Sequence, residues 1–440
     1  MISEPTNDTI APKDFLPLHF QRLEGLARRI FLRIVGRKKI EGVGTLRVVE
    51  EWGPHRTERT IGRGDLKADI TVKDRAAYAA LVYEGSRGMG RSYVNGQWET
   101  SDMTSLVRFL FRATQPIRVR QDRRARRRRS LWSLAPLACR ALTKGLLRAK
   151  PSKVTDRKNI HAHYDLSNEF FEIMLDETMA YSCAIFRDDS TSLHDAQVEK
   201  FDRICRKLEL GPNDHVLEIG AGWGGFAMHA ASRYGARVTT TTISQNQRDG
   251  AIKRISEAGL SHLVNVLGDH YEDLTGTYDA LVSVEMIEAV SWRDYDEFFK
   301  KCSSLLSDKG RMALQAITIA DQSFERAKLQ EDFIRDLIFP GGCLPSITAI
   351  MNSIVIATDL TLVDLDDIGL HYAKTLRLWG QSVEERFVEI RALGFDERFR
   401  RLWVMYLRYC EGAFLERHVS DVQMVFHKPE FRPVIGYRPS

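Results

Sequence analysis

Short apolar runs alternate with segments of helical periodicity in the second part of the chain. The runs "HVLEIG", "RVTTTTI", "LVNVLGD", "YDALVSVEMIE" and "GRMALQAITI" begin at His215, Arg237, Leu263, Tyr278 and Gly310. Buried strands that alternate with helices require crossover connections, which make neighbouring strands parallel. From about Asn159 onward the pattern therefore predicts an α/β domain built on a parallel sheet.

The first 117 residues mix helix-like and strand-like patterns. Residues 23–35 have the spacing of a basic amphipathic helix, and residues 103–114 are also helical in pattern. Residues 44–52 and 68–74 alternate as strands do, and Asn95-Gly96 is typical of a hairpin turn. We expect residues 1–117 to form a smaller α+β module, separate from the α/β domain.

A basic segment, residues 118–158, connects the two parts. It contains the arginine-rich run "RVRQDRRARRRR" and then an apolar stretch with interspersed cations, which predicts an amphipathic helix. This helix packs on a neighbouring domain or lies in a lipid interface. The arginine run is a solvated connector or contacts nucleic acid or anionic lipid, where each basic residue contributes about 1 kcal/mol. Charge alone does not separate these partners.

Composition narrows the class of protein. The chain has 440 residues, 43% of them hydrophobic and 28% charged, with a net charge of +5, as expected of a globular protein of two or three domains. The six cysteines lack metal-ligand spacing, so we predict neither a metal site nor a disulfide framework. No apolar run reaches the roughly 18–20 residues of a spanning helix, and the amino terminus is unlike a secretory signal. These features predict a cytoplasmic location.

The glycine loop after the first strand is the main candidate for a cofactor site. Gly220, Gly222 and Gly225 fit the dinucleotide fingerprint, but the following strand lacks the acidic residue that binds a nicotinamide ribose. Glu218 instead precedes the loop, a position that suits S-adenosylmethionine. The pattern favours a methyltransferase over an NAD enzyme or a turn without a ligand.

Several motifs together resemble the cyclopropane-fatty-acyl-phospholipid synthases and the related mycolic acid cyclopropane synthases. The resemblance runs from about Asn159 to Phe426, and "GMGRSYVNGQWE" is similar to the lipid-binding domain of the phospholipid-acting members. It implies a Rossmann-like class I methyltransferase domain at 159–440, preceded by a lipid-binding α+β domain. The motifs are "HAHYDLSNEFFEIMLDETMAYSCAIF", "VLEIGAGWGGF", "TTISQNQ", "FPGGCLPS", "HYAKTL" and "YLRYCEGAF".

The resemblance also implies which residues hold S-adenosylmethionine. The strand and loop from Val216 to Gly224 would cradle it, two residues of "AYSC" would close over it, and later polar residues would contact its ribose, methionine and adenine parts. The implied cofactor residues are Tyr181, Ser182, Val216, Glu218, Gly220, Gly222, Gly224, Thr242, Gln247, Tyr271 and Glu272.

The implied reaction is methyl transfer to a cis double bond of a phospholipid acyl chain. It produces a carbocation, and a bound bicarbonate would then remove a proton. The positions that match the bicarbonate site are Cys183, Glu288, the backbone of Ile317, and Tyr372, while Cys410 would support the acyl pocket.

Two positions beside the implied base depart from the resemblance. Gln315 stands where the family has histidine. Ala289 replaces the histidine of the usual "EHV", which reads "EAV" in this chain. Glutamine can hydrogen-bond an anion but cannot titrate near neutral pH. Glu285 has a weaker claim to the site than Glu288.

The sequence therefore leaves the product open. A cyclopropane is the first interpretation; if the proton leaves a neighbouring chain carbon, a methylene branch that can be reduced to a methyl branch is the alternative. The expected partners are membrane phospholipid and an anionic membrane surface, at the inner face of the cell membrane, with a homodimer possible. A nucleic-acid methyltransferase is a remote alternative, since no aromatic residues are interleaved with the arginine run.

Overall fold

The structure, a computed structural model, describes residues 20–36, 42–52, 56–114 and 166–432. The predicted basic segment, 118–158, lies outside the described residues. Residues 20–114 are called the amino-terminal unit and residues 166–432 the carboxyl-terminal unit. None of the described helices has the length and apolar composition needed to cross a bilayer.

The amino-terminal unit is a small four-stranded sheet covered by helices. Its strand order is β2-β1-β3-β4, with β1 parallel to β3 and antiparallel to β2. The predicted helices and the two predicted strands are confirmed, while the polar, exposed strand β2 was not predicted. The elements are α1 (Phe20–Val35), β1 (Gly44–Glu50), β2 (Thr57–Arg63), β3 (Lys67–Val72), α2 (Ala76–Ala79), α3 (Ser86–Val94), β4 (Trp98–Glu99) and α4 (103–114).

The hairpin predicted at Asn95-Gly96 is wrong. The residues before this turn form α3 instead of a strand, and the turn leads from that helix into β4. Gly96 has a φ of +73°, so the turn chemistry is as expected. A glycine with a positive φ is also common at the end of a helix. Here the preceding residues form a helix that buries Met89.

The carboxyl-terminal unit is built on a seven-stranded sheet of order β10-β11-β9-β8-β5-β6-β7. The five predicted runs form its parallel part, which confirms the Rossmann-like α/β fold. Strand β11 is antiparallel to both neighbours, and this edge was not predicted. The strands are β5 (His215–Ile219), β6 (Arg237–Thr241), β7 (Val264–Leu267), β8 (Tyr278–Val284), β9 (Leu306–Ile319), β10 (Thr361–Asp367) and β11 (Val419–His427).

Helices pack on both faces of this sheet. Two short 3₁₀ turns, Tyr271–Asp273 and Ile287–Ala289, follow β7 and β8. The helices are α5 (Asn168–Met174), α6 (Leu193–Lys207), α7 (Gly225–Tyr234), α8 (Gln245–Glu257), α9 (Tyr295–Ser304), α10 (Asp321–Ala327), α11 (Phe333–Leu337), α12 (Ile347–Ala357), α13 (Gly369–Glu385), α14 (Phe387–Ala392) and α15 (Glu397–Leu415).

The two units share one hydrophobic core. A single cluster joins Trp98 and Leu106 of the amino-terminal unit to Phe170 and Trp403 of the carboxyl-terminal unit. The two units therefore do not pack as isolated bodies. Helix α15 is the contact element, because it packs against α3 and its residue Glu411 accepts a hydrogen bond from Thr104. The predicted domain boundaries stay predictions.

Candidate active site

The glycine loop leaves β5 in a backbone conformation that favours glycine. Gly220, Gly222 and Gly224 have φ values of +104°, +51° and +81°. The amides of Gly220 and Ala221 both donate to the Thr241 carbonyl, at 3.0 and 2.8 Å, and fix the loop against β6. Since glycine has no Cβ, the backbone is exposed to the space at the carboxyl edge of the sheet.

A cavity of 390 Å³ lies at this edge, within the size range of small-molecule sites. It is bordered by the glycine loop, the ends of β6 and β8, and the segment before α6. Most of the predicted cofactor residues line it: Tyr181, Ser182, Glu218, Gly220, Gly222, Thr242, Gln247, Tyr271 and Glu272.

Two predicted cofactor residues lie elsewhere. Val216 is fully buried in β5 and belongs to the core beneath the sheet. Gly224 caps the start of α7, and a Cβ there would face Ala251 and Ile255 of α8 instead of the cavity. Their role is therefore to support the loop, since neither lines the space that a cofactor would fill.

The polar groups of the cavity suit S-adenosylmethionine. Glu218 accepts a hydrogen bond from Thr240 at 2.6 Å, and burial raises its pKa to about 8. Thr242 donates to the Gln247 amide oxygen at 2.8 Å, which orients two polar side chains toward the loop. Hydroxyl, amide and carboxyl groups around an open glycine backbone match the ribose and amino-acid parts of that cofactor.

Glu285 is the central polar residue at the far end of the cavity, where β8 ends. The Cys183 amide and the Gln315 side-chain amide donate to its Oε1 at 2.7 and 2.9 Å, and the Tyr372 hydroxyl donates to its Oε2 at 2.6 Å. Its φ of +49° is unusual for a side-chain-bearing residue, and such strain clusters at functional sites. The structure thus gathers three predicted catalytic residues around an unassigned carboxylate.

Burial governs the protonation of this cluster. Burial raises the pKa of Glu285, and its hydrogen bonds and nearby Lys200 oppose that rise. Burial and the Glu285 charge also raise the pKa of Tyr372, so its hydroxyl stays a donor. The arrangement supplies a buried carboxylate that is held in one position and opens onto the cavity.

Glu288 lies next to this cluster in the 3₁₀ turn Ile287–Ala289. The Ile317 amide donates to its Oε1 at 2.6 Å, while Oε2 has no hydrogen-bond partner among the described residues. Burial, followed by repulsion from Glu285, raises its pKa to about 8. The Glu288 carbonyl accepts from Cys343 at 2.8 Å, which ties the "FPGGCLPS" loop to the site.

These contacts do not fit a bicarbonate ion. The amide of Cys183, the side chain of Gln315 and the hydroxyl of Tyr372 donate to Glu285, and the amide of Ile317 donates to Glu288. Each donor that the resemblance implies for bicarbonate is therefore bound to a carboxylate of the chain itself. We derive no step through bicarbonate.

The two predicted cysteines have no nucleophilic character. The Cys183 thiol is fully buried, contacts the carbonyls of Ala184 and Ile368, and has a pKa raised mainly by burial. Cys410 lies on α15, does not line the cavity, and also has a pKa raised by burial. A supporting role for Cys410 near an acyl chain stays a prediction.

Two buried titratable residues were not predicted from the sequence. Lys200 on α6 donates to Ser182 Oγ at 2.6 Å, and burial lowers its pKa to about 8. Asp421 on β11 is fully buried and accepts from Gln315 at 2.9 Å. No pattern in the sequence distinguishes Lys200 from the solvated cations of its helix.

The sheet order and the cavity together define an S-adenosylmethionine-dependent methyltransferase. Residues 151–424 match the family described as mycolic acid cyclopropane synthetase, and the chain belongs to this family. The resemblance found in the sequence is confirmed.

Similar proteins include two with recorded activities and one of known structure. Tuberculostearic acid methyltransferase UfaA1 of Mycobacterium tuberculosis is 38% identical over 348 residues, 77% of this chain and 78% of the relative. Cyclopropane-fatty-acyl-phospholipid synthase of Escherichia coli K12 is 34% identical over 366 residues, 83% of this chain and 89% of the relative. The mycolic acid cyclopropane synthase CmaA1 complexed with SAH and CTAB is 32% identical, with a TM-score of 0.58, and the match covers 62% of this chain and 98% of that structure.

Proposed function

We propose that this protein methylates the cis double bond of a phospholipid-bound acyl chain and that Glu285 removes the proton that completes the reaction. The observation that carries the proposal is the position of Glu285. Its carboxylate lines the cofactor cavity and is held there by Cys183, Gln315 and Tyr372. S-adenosylmethionine supplies the methyl group when bound.

The first step forms a carbon–carbon bond between one alkene carbon and the methyl group, and the methyl–sulfur bond breaks. The other alkene carbon is left with a positive charge. An alkene is a weak nucleophile, so the site must align it with the methyl group in a space without water. A fixed carboxylate at Glu285 stabilises the charge that develops, because it needs no reorganisation during the reaction.

We propose a methylene branch as the product. A hydride moves from the methylated carbon to its cationic neighbour, which leaves a tertiary cation. Glu285 then takes a proton from the transferred carbon, and the C–H electron pair becomes an exocyclic double bond. The proton therefore leaves the methyl carbon itself, not a neighbouring chain carbon as the sequence interpretation supposed.

Two observations support this product over ring closure. The donors that hold an anion in the cyclopropane synthases, according to the resemblance, here hold the Glu285 carboxylate, so the proposed base differs from theirs. In addition, UfaA1, at 38% identity, carries the name of a methyltransferase for tuberculostearic acid, a methyl-branched fatty acid.

A cyclopropane is the second candidate. It forms when the same C–H electron pair closes a ring before the hydride moves. The family description and the name of the Escherichia coli relative, at 34% identity, favour it.

Nuclear magnetic resonance of the product separates the two candidates. After incubation with S-adenosylmethionine and an oleoyl phospholipid, we expect the released acyl chains to show vinylidene protons. Mass alone does not distinguish the products, since both add one CH2. Cyclopropane protons far upfield, without vinylidene signals, would reverse the order of the candidates.

Turnover is expected to be independent of bicarbonate. The four donors of the implied anion site are bound to Glu285 and Glu288, so none of these four is left for a free anion. The assay compares turnover in buffer purged of carbon dioxide with turnover after bicarbonate is added back. A several-fold rise on addition would contradict the assignment of Glu285 as the base.

The substrate is proposed to be a membrane phospholipid, reached from the cytoplasmic side at an anionic surface. The support is the cationic composition of residues 118–158 and the match to a phospholipid-acting relative along 83% of the chain. The homodimer predicted from the resemblance stays a prediction.

A further inference from the structure

Asp421 is a second buried carboxylate beside Glu285. It lies on β11 opposite Ile317 of β9, and its side chain has no exposure to solvent. Its Oδ2 accepts one hydrogen bond, from Gln315 Nε2 at 2.9 Å. Its Oδ1 has no hydrogen-bond partner among the described residues. Asp421 has no role in the reaction steps proposed above.

Gln315 joins the two carboxylates through a single nitrogen. Its Nε2 lies 2.9 Å from Glu285 Oε1 and 2.9 Å from Asp421 Oδ2, so each of its two hydrogens serves one acid. The Gln423 amide donates to Gln315 Oε1 at 3.1 Å, and this contact sets the orientation of the amide group. A histidine nitrogen carries one hydrogen and could not serve both acids.

The number of donors differs sharply between the two acids. Glu285 accepts from Cys183, Gln315 and Tyr372. Asp421 accepts from Gln315, and its carboxyl lies within hydrogen-bonding reach of the Cys183 thiol, a weak donor, and of Glu285 itself. Hydrogen bonds to the charged form stabilise it, and two adjacent buried carboxylates do not both ionise readily. One negative charge shared between them therefore resides on Glu285.

We infer that Asp421 is protonated in the working enzyme and is a positioning residue that keeps the single negative charge of the pair on Glu285. This inference rests on the proposed role of Glu285 as the base. Asp421 stays neutral while Glu285 takes the proton from the transferred carbon, and Glu285 later releases that proton to water. Gln315 links the two carboxyl groups by donating to both, which gives a reason for glutamine at this position.

The surroundings agree with a protonated Asp421. Burial, and after it the charges of Glu285 and Glu288, raise the pKa of Asp421 well above its usual range. Lys200 is the cation that acts on the pair, and its pKa is itself lowered to about 8 by burial. The other titratable side chains that face the pair are Cys183, Glu288 and Tyr372.

Infrared spectroscopy tests the protonation of Asp421 directly. We expect the wild-type protein at neutral pH to show a carbonyl band of a protonated aspartic acid that shifts when the aspartates carry carbon-13. The band should disappear in Asp421→Asn and persist in the matched control Asp308→Asn, which changes an exposed aspartate. Within the described ranges Asp421 is the one fully buried aspartate, and labelling separates it from glutamates 218 and 288.

The absence of an aspartic acid band, or a band that persists in Asp421→Asn, would overturn the inference. The labelled wild-type measurement decides even if the variant does not fold. A second readout is the pH at which turnover is half lost on the acid side. This pH should be the same in Asp421→Asn, because one neutral group replaces another. If Asp421 were ionised, removal of its charge would lower this pH by about one unit or more.

The infrared result does not depend on activity. If Glu285→Gln turned over at the wild-type rate, Glu285 would not be the base and the proposed function would be refuted. The infrared band of protonated Asp421 would still be observed in the wild-type protein, so failure of the proposed function and failure of this inference are distinguishable.

Discussion

Glu285→Gln is expected to lower turnover by about 10²–10⁴-fold, the usual contribution of a general base. Glutamine keeps the size of the side chain and can accept from Cys183 or Tyr372, but it cannot take up a proton or carry a negative charge. The methyl-transfer step loses charge stabilisation for the same reason. Turnover is measured with S-adenosylmethionine and oleoyl phospholipid, and cofactor affinity by calorimetry.

Binding of S-adenosylmethionine should be retained in this variant, because the glycine loop and the polar side chains Thr242 and Gln247 are unchanged. Glu257→Gln is the matched control: it removes an exposed carboxylate at the end of α8 and should behave as wild type. A Glu285→Gln protein that binds cofactor and turns over at the wild-type rate would exclude Glu285 as the base. Loss of cofactor binding as well would point to a collapsed site.

The cofactor half of the site could be predicted from the sequence. Its determinants are local: Glu218 lies one residue before the end of a buried strand, and Gly220 and Gly222 lie in the loop that follows, so chain order already places them together. Thr242 and Gln247 follow the adjacent parallel strand, whose carboxyl end meets the same edge of the sheet. The fold followed from the same alternation of strands and helices.

The proposed base, Glu285, could not be chosen from the sequence in the same way. Glu285 and Glu288 both follow β8, so the edge-of-sheet argument applies equally to each. What separates them is the positive φ of Glu285 and the convergence of Cys183 and Tyr372 from distant parts of the chain. The resemblance pointed to these donors, but it assigned them to an external anion.

Asp421 illustrates a different limit. It lies on β11, which inserts antiparallel between β9 and β10, and this register alone brings it opposite Ile317 and next to Gln315. This strand was not predicted from the sequence. The available signal was a carboxylate among the apolar residues of "VSDVQMVFH", a strand that also contains serine, glutamine and histidine.

Beside the apolar core, a buried carboxylate that the sequence does not single out also links the two units. Glu411 on α15 has a side-chain exposure of 3% and accepts from Thr104 of the amino-terminal unit at 2.9 Å. Arg377 and Arg408 donate to the same carboxylate at 2.9 and 3.1 Å. This carboxylate therefore links α4 and α13 to α15.

Glu411→Leu is expected to lower the free energy of unfolding by about 3 kcal/mol, because it removes a buried carboxylate that accepts from Thr104, Arg377 and Arg408. Arg408 keeps its ion pair with Glu384, which limits the cost. Denaturation in urea measures the change. Glu397→Gln is the control on the same helix: its pair with Arg400 is exposed and should cost less than about 1 kcal/mol.

Thr104→Val separates the contribution of the amino-terminal unit from that of the arginines. It removes one buried hydrogen bond and should cost about 1–3 kcal/mol when Glu411 is present, since the carboxylate is left partly unsatisfied. In the Glu411→Leu background the same substitution should cost much less, because its acceptor is already gone. Equal costs in both backgrounds would show that Glu411 does not couple the two units, and their contact would then depend on apolar packing alone.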